Sequence, residues 1–334
     1  MAKILYHSDD DGRCAAAIVV RELWAQSFSR PEPNDFYEYS HGRDLVIDED
    51  SIQDGELVFV VDLALDDVIM DAIRIFLKHN CKVTYIDHHK TSLNNLTKYQ
   101  DELESVAILH KEGVSATMLA WVYTCMTLVE QSEPSGVTFD FAEKRSHVCF
   151  DENPDREYRI PMVVRFIDDW DVWRHEIDGT EEFHLAFGAV DDKHPLSYIW
   201  NEIIDGPSMM LHENYIKPGI AIKQYMEAQY QHEMKRSFVK DDVFLDEDSG
   251  DPIQCLFLNW TGNAKVFGDE INNHPMACLY FYDGRSNSWK YQLRSHNDGV
   301  DVEKIAASYG GGGHKHAAGF QLDSNIVNYT ETDY

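Results

Sequence analysis

The sequence predicts an α/β protein with a doubly wound, mainly parallel sheet in its N-terminal domain, then a helical connector and a smaller α/β C-terminal domain. At 334 residues the chain exceeds the usual size of one domain. Its N-terminal part alternates apolar runs of strand length with segments of helical periodicity. From about residue 237 the pattern changes to short β-like runs. We place the three parts at residues 1–198, 199–236 and 237–334.

The N-terminal elements follow one another in a βαβα order, which is typical of a doubly wound layer. The run at 57–61 is apolar throughout, as expected for a strand buried on both faces. The predicted strands are 3–7, 35–40, 57–61, 82–86 and 105–109. The predicted helices are 12–27, 65–79 and 114–128.

The rest of the chain is divided by polar breaks and prolines. Residues 131–140 and 151–159 are polar or charged and are predicted as loops. Residues 199–234 have helical character but contain Pro207 and Pro218, which favours a broken helical connector. The C-terminal strands are predicted at 252–259, 277–282 and 289–293, followed by a helix at 302–309.

Composition narrows the classes of function. A net charge of −30 argues against a broad basic cleft for duplex nucleic acid. It fits an enzyme for a small anion with a local positive pocket, or simply a solvated acidic surface. No apolar run approaches the roughly 20 residues of a membrane span, and the N-terminus does not resemble a signal peptide. The six scattered cysteines predict reduced thiols in a cytoplasmic protein without structural zinc.

Four polar loci follow apolar runs. The first contains His7, Asp9 and Asp11, and Gly12 lets the chain turn into the next helix. The second is Asp62, which ends the run at 57–61. The third and fourth loci follow the runs at 82–86 and 163–167, and consist of Asp87, His88 and His89, and of Asp168, Asp169 and Asp171. The first three loci come at the ends of predicted strands, so we expect them at one edge of the sheet.

So many carboxylates in one crevice would repel each other by several kcal/mol at low dielectric, and divalent cations remove that conflict. In these four loci, oxygen donors outnumber imidazoles and no thiolate is present. This set of donors favours Mn²⁺, with Mg²⁺ as the alternative, over zinc. Two cations about 3.5–4 Å apart can share a carboxylate and activate a water. Asp62 lies between the other loci and is the predicted bridge.

Each locus also has a structural explanation when it is taken alone. The aspartates after His7 could form a solvated turn or a helix cap, and Asp62 could cap the following helix. His88 and His89 could be packed or surface histidines. The occurrence of all four loci behind apolar runs favours a metal site.

A run of four glycines at 310–313 is followed by His314 and by the small residues at 317–319. A backbone without side chains lets its N–H groups approach an anion closely, and the imidazole can donate to the same anion. A flexible linker can have a similar composition. The distant metal loci favour an anion-binding loop, because they supply a centre that could act on the bound anion.

Together these motifs resemble the DHH phosphoesterase superfamily, and the resemblance covers nearly the whole chain. Asp-His-His alone would be a weak match, but the ordered set ending in the glycine run is specific. The N-terminal matches are His7-x-Asp9-x-Asp11, Asp62, Asp87-His88-His89 and the aspartates of 168–171. Residues 292–295 and 310–319 resemble the DHH-associated C-terminal domain, which binds substrate.

The resemblance implies two metal positions and the residues that hold them. His7 and Asp9 would bind one cation, Asp11 and His88 the other, and Asp62 would bridge them. One aspartate of the fourth motif would complete the second position. We select Asp169, because Asp169-x-Asp171-x-Trp173 resembles one branch of the family, and Asp171 is the alternative.

The resemblance also implies roles around the scissile phosphate. His89 would contact this phosphate and assist the leaving group, and Asp87 would orient a neighbouring imidazole. Trp170 and Trp173 are interpreted as packing residues in preference to base-stacking platforms. In the C-terminal domain, a phosphate would be held by Arg294, Ser295, Gly311, Gly312, Gly313 and His314.

The predicted function is two-metal hydrolysis of short oligonucleotides or dinucleotides from an end, as in oligoribonucleases (nanoRNases). The alternatives are a RecJ-like single-strand DNA exonuclease, a cyclic-dinucleotide phosphodiesterase, a nucleoside 3′,5′-bisphosphate phosphatase and a non-catalytic nucleotide sensor. The expected partners are short single-stranded oligonucleotides or dinucleotides as substrates. No binding of duplex nucleic acid or of a membrane is expected, and the formation of a homodimer is left open.

Overall fold

The computed structural model describes residues 2–25, 31–40, 43–129, 139–140, 145–146, 160–246, 249–296 and 299–327. The chain divides into two compact units, Met1–Ile222 and Lys223–Tyr334. The division falls inside the segment that we predict as the connector.

The first unit is built on a five-stranded sheet in which all neighbouring strands are parallel. Its strand order is β2-β1-β3-β4-β5, so the chain starts in the second position and winds outwards in both directions. The strands are β1 (Ala2–His7), β2 (Phe36–Tyr39), β3 (Leu57–Val61), β4 (Lys82–Asp87) and β5 (Ala107–His110). A separate antiparallel pair is formed by β6 (Phe139–Asp140) and β7 (Arg145–Ser146).

Helices connect the strands and continue after the sheet. The helices of this part are α1 (Asp10–Ala25), α2 (Asp67–Lys78), α3 (Ser92–Lys98), α4 (Ala116–Val129), α5 (Met162–Asp171), α6 (Thr180–Phe187), α7 (Tyr198–Asp205), α8 (Ser208–Leu211) and α9 (Lys217–Met234). A π-helical turn, His212–Ile216, joins α8 to α9, so the predicted connector is helical and interrupted.

Each sheet face packs against its own core because side chains alternate along a strand. On β1, Ile4 and Tyr6 belong to the core that also contains α1, α4 and α5, while Leu5 belongs to the core with α2 and α3. On β3, Val61 and Val60 divide between the two cores in the same way. The doubly wound parallel fold predicted from the sequence is therefore confirmed.

The second unit contains a mixed six-stranded sheet of order β12-β13-β11-β10-β9-β8. Only β9 and β10 run parallel, and the other pairs are antiparallel. The strands are β8 (Phe238–Leu245), β9 (Pro252–Asn259), β10 (Met276–Asp283), β11 (Ser288–Arg294), β12 (Gly312–His314) and β13 (Ala317–Leu322). The helical elements are a 3₁₀ segment, Ala264–Asn273, and α10 (Val302–Ser308).

Two of the predicted loops lie mostly or wholly outside the residues that the structure describes. The predicted loop at 151–159 and most of the loop at 131–140 lie outside them. Within the described chain, no helix combines the length and hydropathy that a bilayer crossing requires. The buried cysteines described there, Cys14, Cys81, Cys255 and Cys278, are free thiols.

Candidate active site

The parallel register brings the polar ends of the strands to one edge of the first sheet. Val61 of β3 pairs with Tyr6 of β1 and with Ile86 of β4, so His7, Asp62 and Asp87 follow at the same level. Asp62 has a φ of 57°, a left-handed conformation that aspartate tolerates better than most residues. Its amide donates to the carbonyl of Ile86 at 2.9 Å. The turn holds a carboxylate that is 2% exposed at this edge.

The first donor group consists of His7, Asp9 and Asp62, whose ligand atoms all lie within 4.8 Å of one another. His7 Nδ1 lies 2.6 Å from Asp9 Oδ2 and 3.6 Å from Asp62 Oδ2. The Gly12 amide donates to Asp9 Oδ1 at 2.9 Å. A Cβ at Gly12 would come within 2.4 Å of the His7 carbonyl oxygen, so only glycine lets α1 begin this close to the end of β1.

The second donor group consists of Asp11, His88 and Asp171. His88 Nε2 lies 3.4 Å from Asp171 Oδ2 and 3.8 Å from Asp11 Oδ2. The Asp11 carboxylate also accepts the amides of Ala116 and Thr117 at 2.8 Å each, at the start of α4. These two bonds fix the orientation of Asp11 and favour its charged form.

Asp62 connects the two donor groups. Its Oδ2 faces His7 at 3.6 Å, and its Oδ1 faces His88 at 3.2 Å. This is the arrangement that a carboxylate bridging two cations needs, one oxygen directed to each side. The predicted set of His7, Asp9, Asp11, Asp62 and His88 is thus assembled in one place.

The three aspartates of the fourth motif have different surroundings. Asp168 accepts the Ser115 amide at 2.7 Å and forms an ion pair with Arg174. Asp169 accepts three hydrogen bonds, and its donors are the Glu176 amide at 3.0 Å, the Ile177 amide at 3.1 Å and the Thr180 hydroxyl at 2.7 Å. Both carboxylates are therefore engaged in holding the chain around the end of α5. The structure does not bring Asp169 to the donor groups, and it does bring Asp171 there.

His89 and Asp87 form a hydrogen-bonded pair at the donor groups, and His89 also lies with Asp62 and His88 in a third group whose ligand atoms are within 4.8 Å of one another. His89 Nδ1 lies 2.7 Å from Asp87 Oδ1, and the His89 ring packs on that of His88 with centroids 4.6 Å apart. The other oxygen of the fully buried Asp87 accepts the Tyr85 hydroxyl at 2.8 Å and the Ser92 hydroxyl at 2.5 Å. Asp87 is thus fixed by two hydroxyls and in turn orients the half-buried imidazole of His89.

Asp87 and His89 each shift the pKa of the other towards its charged form. Burial is the largest single influence on the pKa of Asp87 and would raise it, but the hydrogen bond and charge of His89, the Ser92 hydroxyl and the charge of His110 together lower it. Burial is the largest single influence on the pKa of His89 and would lower it, but the hydrogen bond and the charge of Asp87 together raise it. His89 therefore holds its second proton to higher pH than an isolated imidazole.

The donor groups themselves have strongly shifted pKa values. Burial and the charge of Asp11 raise the pKa of Asp171 to about 7, and the same two causes raise that of Asp62 well above its usual range. The carboxylates of Asp62 and Asp9 raise the pKa of His7 to about 10. Asp62 and Asp171 therefore lack enough positive charge around them in the protein to ionise freely.

The donor groups fit divalent cations. Within the described part of the chain, the buried Oδ2 atoms of Asp62 and Asp171 have no hydrogen-bond partner, although each residue belongs to a donor group. A buried polar atom without a partner is costly, and a cation would satisfy both of these oxygens. Carboxylate oxygens and imidazole nitrogens are donors that Mn²⁺ and Mg²⁺ accept.

In the second unit, the predicted phosphate ligands lie at the end of β11 and near β12. Arg294 is half-buried, and burial lowers its pKa. Its Nη1 donates to the Leu293 carbonyl at 2.8 Å, and in the described part of the chain no carboxylate lies within 4.0 Å of it. The hydroxyl of Ser295 is 3.0 Å from His316 Nδ1. Among the described residues, Arg294 thus has no carboxylate partner, which leaves its guanidinium available for a phosphate.

The glycine run is partly a strand, which differs from the open loop expected from its composition. β12, which includes Gly312 and His314, pairs with β13 at the edge of the sheet. A Cβ at Gly311 would lie 2.2 Å from the Gly319 carbonyl oxygen, and one at Gly313 would lie 2.5 Å from that of Ala317. At Gly312 a Cβ would meet no atom within 4 Å, so packing does not explain this glycine.

Sequence reasoning missed the residues that position this site. Tyr85 and Ser92 hold Asp87, and His110 at the end of β5 donates to the His89 carbonyl at 2.9 Å. Lys193 pairs with Asp10 at 2.8 Å. Two of these residues carried a usable signal, because Tyr85 shares a strand face with Asp87 and His110 ends a parallel strand.

These features define a class of protein: an α/β chain whose first unit gathers imidazoles and carboxylates at the carboxyl edge of a parallel sheet. The family model described as the DHHA1 domain matches residues 264–330, inside the second unit.

Three curated proteins are similar to this chain. Uncharacterized protein R106 of Acanthamoeba polyphaga mimivirus is 24% identical over 245 residues, 70% of this chain and 46% of that protein. Oligoribonuclease NrnB of Bacillus subtilis is 21% identical over 277 residues, 81% of this chain and 60% of NrnB. The bifunctional oligoribonuclease and PAP phosphatase NrnA of Mycoplasma pneumoniae is 30% identical over 106 residues, 31% of this chain and 30% of NrnA. The aligned regions thus span 30% to 60% of these relatives.

Two solved structures are similar to this chain, each with a TM-score of 0.48. One is the pGpG-specific phosphodiesterase PggH from Vibrio cholerae, with 12% identity over 96% of this chain and 93% of PggH. The other is exonuclease RecJ bound to manganese, with 16% identity over 96% of this chain and 86% of RecJ.

The DHHA1 match identifies a DHH-associated C-terminal domain in the second unit, and the findings support the resemblance of the chain to the DHH phosphoesterase superfamily. The DHHA1 match, the oligoribonuclease relatives and the ordered N-terminal motifs agree on this family.

We expect Asp171→Asn and Asp169→Ala to have opposite profiles. Asp171→Asn removes a charged donor beside His88 and should weaken Mn²⁺ binding about tenfold or more, with little change in melting temperature. Asp169→Ala leaves three donors without their acceptor and should lower the free energy of unfolding by about 3 kcal/mol. Calorimetric Mn²⁺ titration and thermal unfolding of each variant check this pair. Normal Mn²⁺ affinity in Asp171→Asn would contradict its assignment to the donor group.

We expect Mn²⁺ binding to release at least one proton at pH 7 and to tighten from about pH 6 to about pH 8. His7, with a pKa of about 10, and Asp171, with a pKa of about 7, must each lose a proton before they bind a cation. Lower pH therefore favours the protonated donors and weakens binding. Calorimetry in two buffers of different ionisation enthalpy counts the protons, and Asp171→Asn should release fewer. Equal binding enthalpies in both buffers would contradict this expectation.

Proposed function

We propose that this protein is a divalent-metal-dependent phosphodiesterase that hydrolyses short oligonucleotides or dinucleotides from an end. The observation that carries the proposal is Asp62, a buried carboxylate whose two oxygens face His7 and His88 separately. An arrangement of this kind suits a two-cation centre, and phosphoester hydrolysis is a principal reaction of such centres.

The proposed ligands differ from those predicted from the sequence at one position. One cation would be held by His7, Asp9 and Asp62, and the other by Asp11, His88 and Asp62. Asp171 takes the place of Asp169 at the second position, because the Asp169 oxygens are already bonded within their own turn. When bound, two divalent cations, with Mn²⁺ as our first candidate, activate water and neutralise charge on the phosphate.

His89 would then contact the substrate and supply a proton. Its Nδ1 is bound to Asp87, so Nε2 is the nitrogen left for a substrate oxygen. The pKa of His89 is raised, because the hydrogen bond and charge of Asp87 together exceed the opposing effect of burial, and this favours the protonated ring. A protonated imidazole beside the scissile bond can donate to the leaving oxygen as general acid.

The second unit would bind a phosphate of the substrate. Arg294 offers a planar guanidinium without a carboxylate partner in the described residues, and a guanidinium binds phosphate through paired hydrogen bonds. Ser295 and His314 add further donors, and β12 is an edge strand with outward-facing backbone groups. Binding of this kind would hold one end of a substrate.

Charge and relatives support short substrates. At a net charge of −30, binding many phosphates of a long strand or duplex would be opposed by repulsion. Two of the relatives are named as oligoribonucleases. A second candidate is a bisphosphate phosphatase, which is favoured by the PAP phosphatase activity in the name of NrnA.

We expect a length-resolved digestion series to show fastest hydrolysis of 5′-phosphorylated dinucleotides and short oligonucleotides in the presence of Mn²⁺. Rates should fall with length, and a duplex should stay intact. Asp62→Asn, which keeps the shape but not the charge of the bridge, should reduce kcat about 10³-fold or more. Asp44→Asn, at an exposed aspartate, is the matched control. Absence of cleavage of every phosphodiester and bisphosphate tested by the wild-type protein would reject the proposal.

We expect Gly312→Ala to raise KM for these substrates about tenfold while leaving the melting temperature unchanged. The added methyl group meets no protein atom within 4 Å, so it should obstruct only a ligand that approaches the strand. Gly311→Ala is the contrasting variant, because its Cβ would lie 2.2 Å from the Gly319 carbonyl oxygen and should destabilise the second unit. Steady-state kinetics with thermal unfolding check both, and an unchanged KM in Gly312→Ala would argue against phosphate binding at this glycine.

A further inference from the structure

An exposed tryptophan lies close in the sequence to Asp171, a member of the second donor group. Trp173 lies two residues beyond Asp171, and 72% of its surface is accessible. Its φ is 56°, in the left-handed region that is unfavourable for a bulky residue, and His175 has a φ of 52°. The sequence-based interpretation of Trp173 as a packing residue is therefore wrong.

The turn that carries Trp173 is held firmly. The Asp169 carbonyl accepts the amides of Arg174 at 3.0 Å and His175 at 3.3 Å, and the Asp169 carboxylate holds the residues that follow. The Arg174 guanidinium bonds to Asp168 and to the Gly113 carbonyl. These bonds keep two left-handed residues in place, and strain maintained in this way is characteristic of functional sites.

Trp173 is the outer member of an aromatic stack. Its ring lies 6.1 Å from that of Trp170 at an angle of 25°, and Trp170 lies 3.8 Å from the His184 ring at 18°. The edge of His175 contacts both indoles, at 4.8 Å and 5.2 Å. The orientation of Trp173 is thus set by Trp170, to which its ring is roughly parallel, and by the edge of His175, while most of its surface stays open.

The stack is continuous with the donor groups. A cavity of about 390 Å³ is lined by Trp170 and His184 together with Asp9, Asp11 and Asp171. A phosphate bound at the donor groups would thus lie beside an aromatic surface. On a nucleotide, the group one sugar away from a phosphate is a planar base, which stacks on aromatic rings.

We propose that Trp173, backed by Trp170 and His184, is a stacking platform for a nucleobase next to the scissile phosphate. The proposal rests on the proposed function, because it takes the substrate to be a nucleotide. A protein partner fits less well, since the residues after Trp173 are the exposed and polar Arg174, His175 and Glu176. Stacking of this kind tolerates all bases, with purines favoured by their larger rings.

The test compares ligands that differ only in the base. Calorimetry would measure the binding of 5′-AMP and of ribose 5-phosphate to the Mn²⁺-loaded protein, and kinetics would follow hydrolysis of the dinucleotide pApA. We expect Trp173→Ala to weaken 5′-AMP binding about tenfold and leave ribose 5-phosphate binding unchanged. Trp173→Phe should retain most of the affinity for 5′-AMP. Tyr198→Ala is the control, because it removes another exposed aromatic ring (75%) from the first unit.

The outcomes separate this proposal from the proposed function. Base-dependent binding that requires Trp173, in a protein that hydrolyses no phosphoester, would support the platform and reject the enzyme. Equal weakening of 5′-AMP and ribose 5-phosphate would show that Trp173 only positions Asp171, and would overturn the platform. Unchanged 5′-AMP binding would overturn the platform as well. The same conclusion would hold if Trp173→Ala left 5′-AMP binding unchanged and altered only the oligomeric state, as measured by light scattering.

Discussion

The burial of the Asp62 carboxylate between His7 and His88 is the constraint on which the rest of the site depends. A carboxylate that is 2% exposed loses most of its hydration, at a cost of several kcal/mol, so it must be matched by positive charge. Imidazoles from the ends of two strands face its two oxygens. The left-handed φ of Asp62 and the close packing at Gly12 keep these three side chains in register. The parallel sheet is what makes this convergence possible.

The first unit could be predicted largely from sequence because its strands are continuous apolar runs with clear ends. The strands β8 and β12 of the second unit could not be predicted from the sequence. The sequence of β8 places Lys240, Asp241 and Asp242 in mid-strand, and the register is interrupted between Lys240 and Phe244, which removes the alternation that indicates a strand. Gly312 and Gly313 have low intrinsic preference for strands, and β12 forms through pairing with β13.

The site was predictable in outline and less so in detail. The strand ends indicated His7, Asp62 and His88, because parallel topology brings carboxyl ends together. The choice between Asp169 and Asp171 needed the hydrogen bonds of a turn formed later in the chain, and these leave no pattern in the local sequence. The same turn sets the exposure of Trp173, since packing and solvent-facing tryptophans look alike in a sequence. The proposed stacking platform thus depends on a residue whose exposure only the folded turn defines.

Anomalous diffraction from crystals soaked in Mn²⁺ would test directly whether Asp62 bridges two cations. We expect two peaks, each within bonding distance of a different oxygen of Asp62, one beside His7 and Asp9 and the other beside His88 and Asp171. No peak should lie at the Asp169 carboxylate. A single peak, or a pair of peaks without Asp62 between them, would contradict the bridging role of this carboxylate.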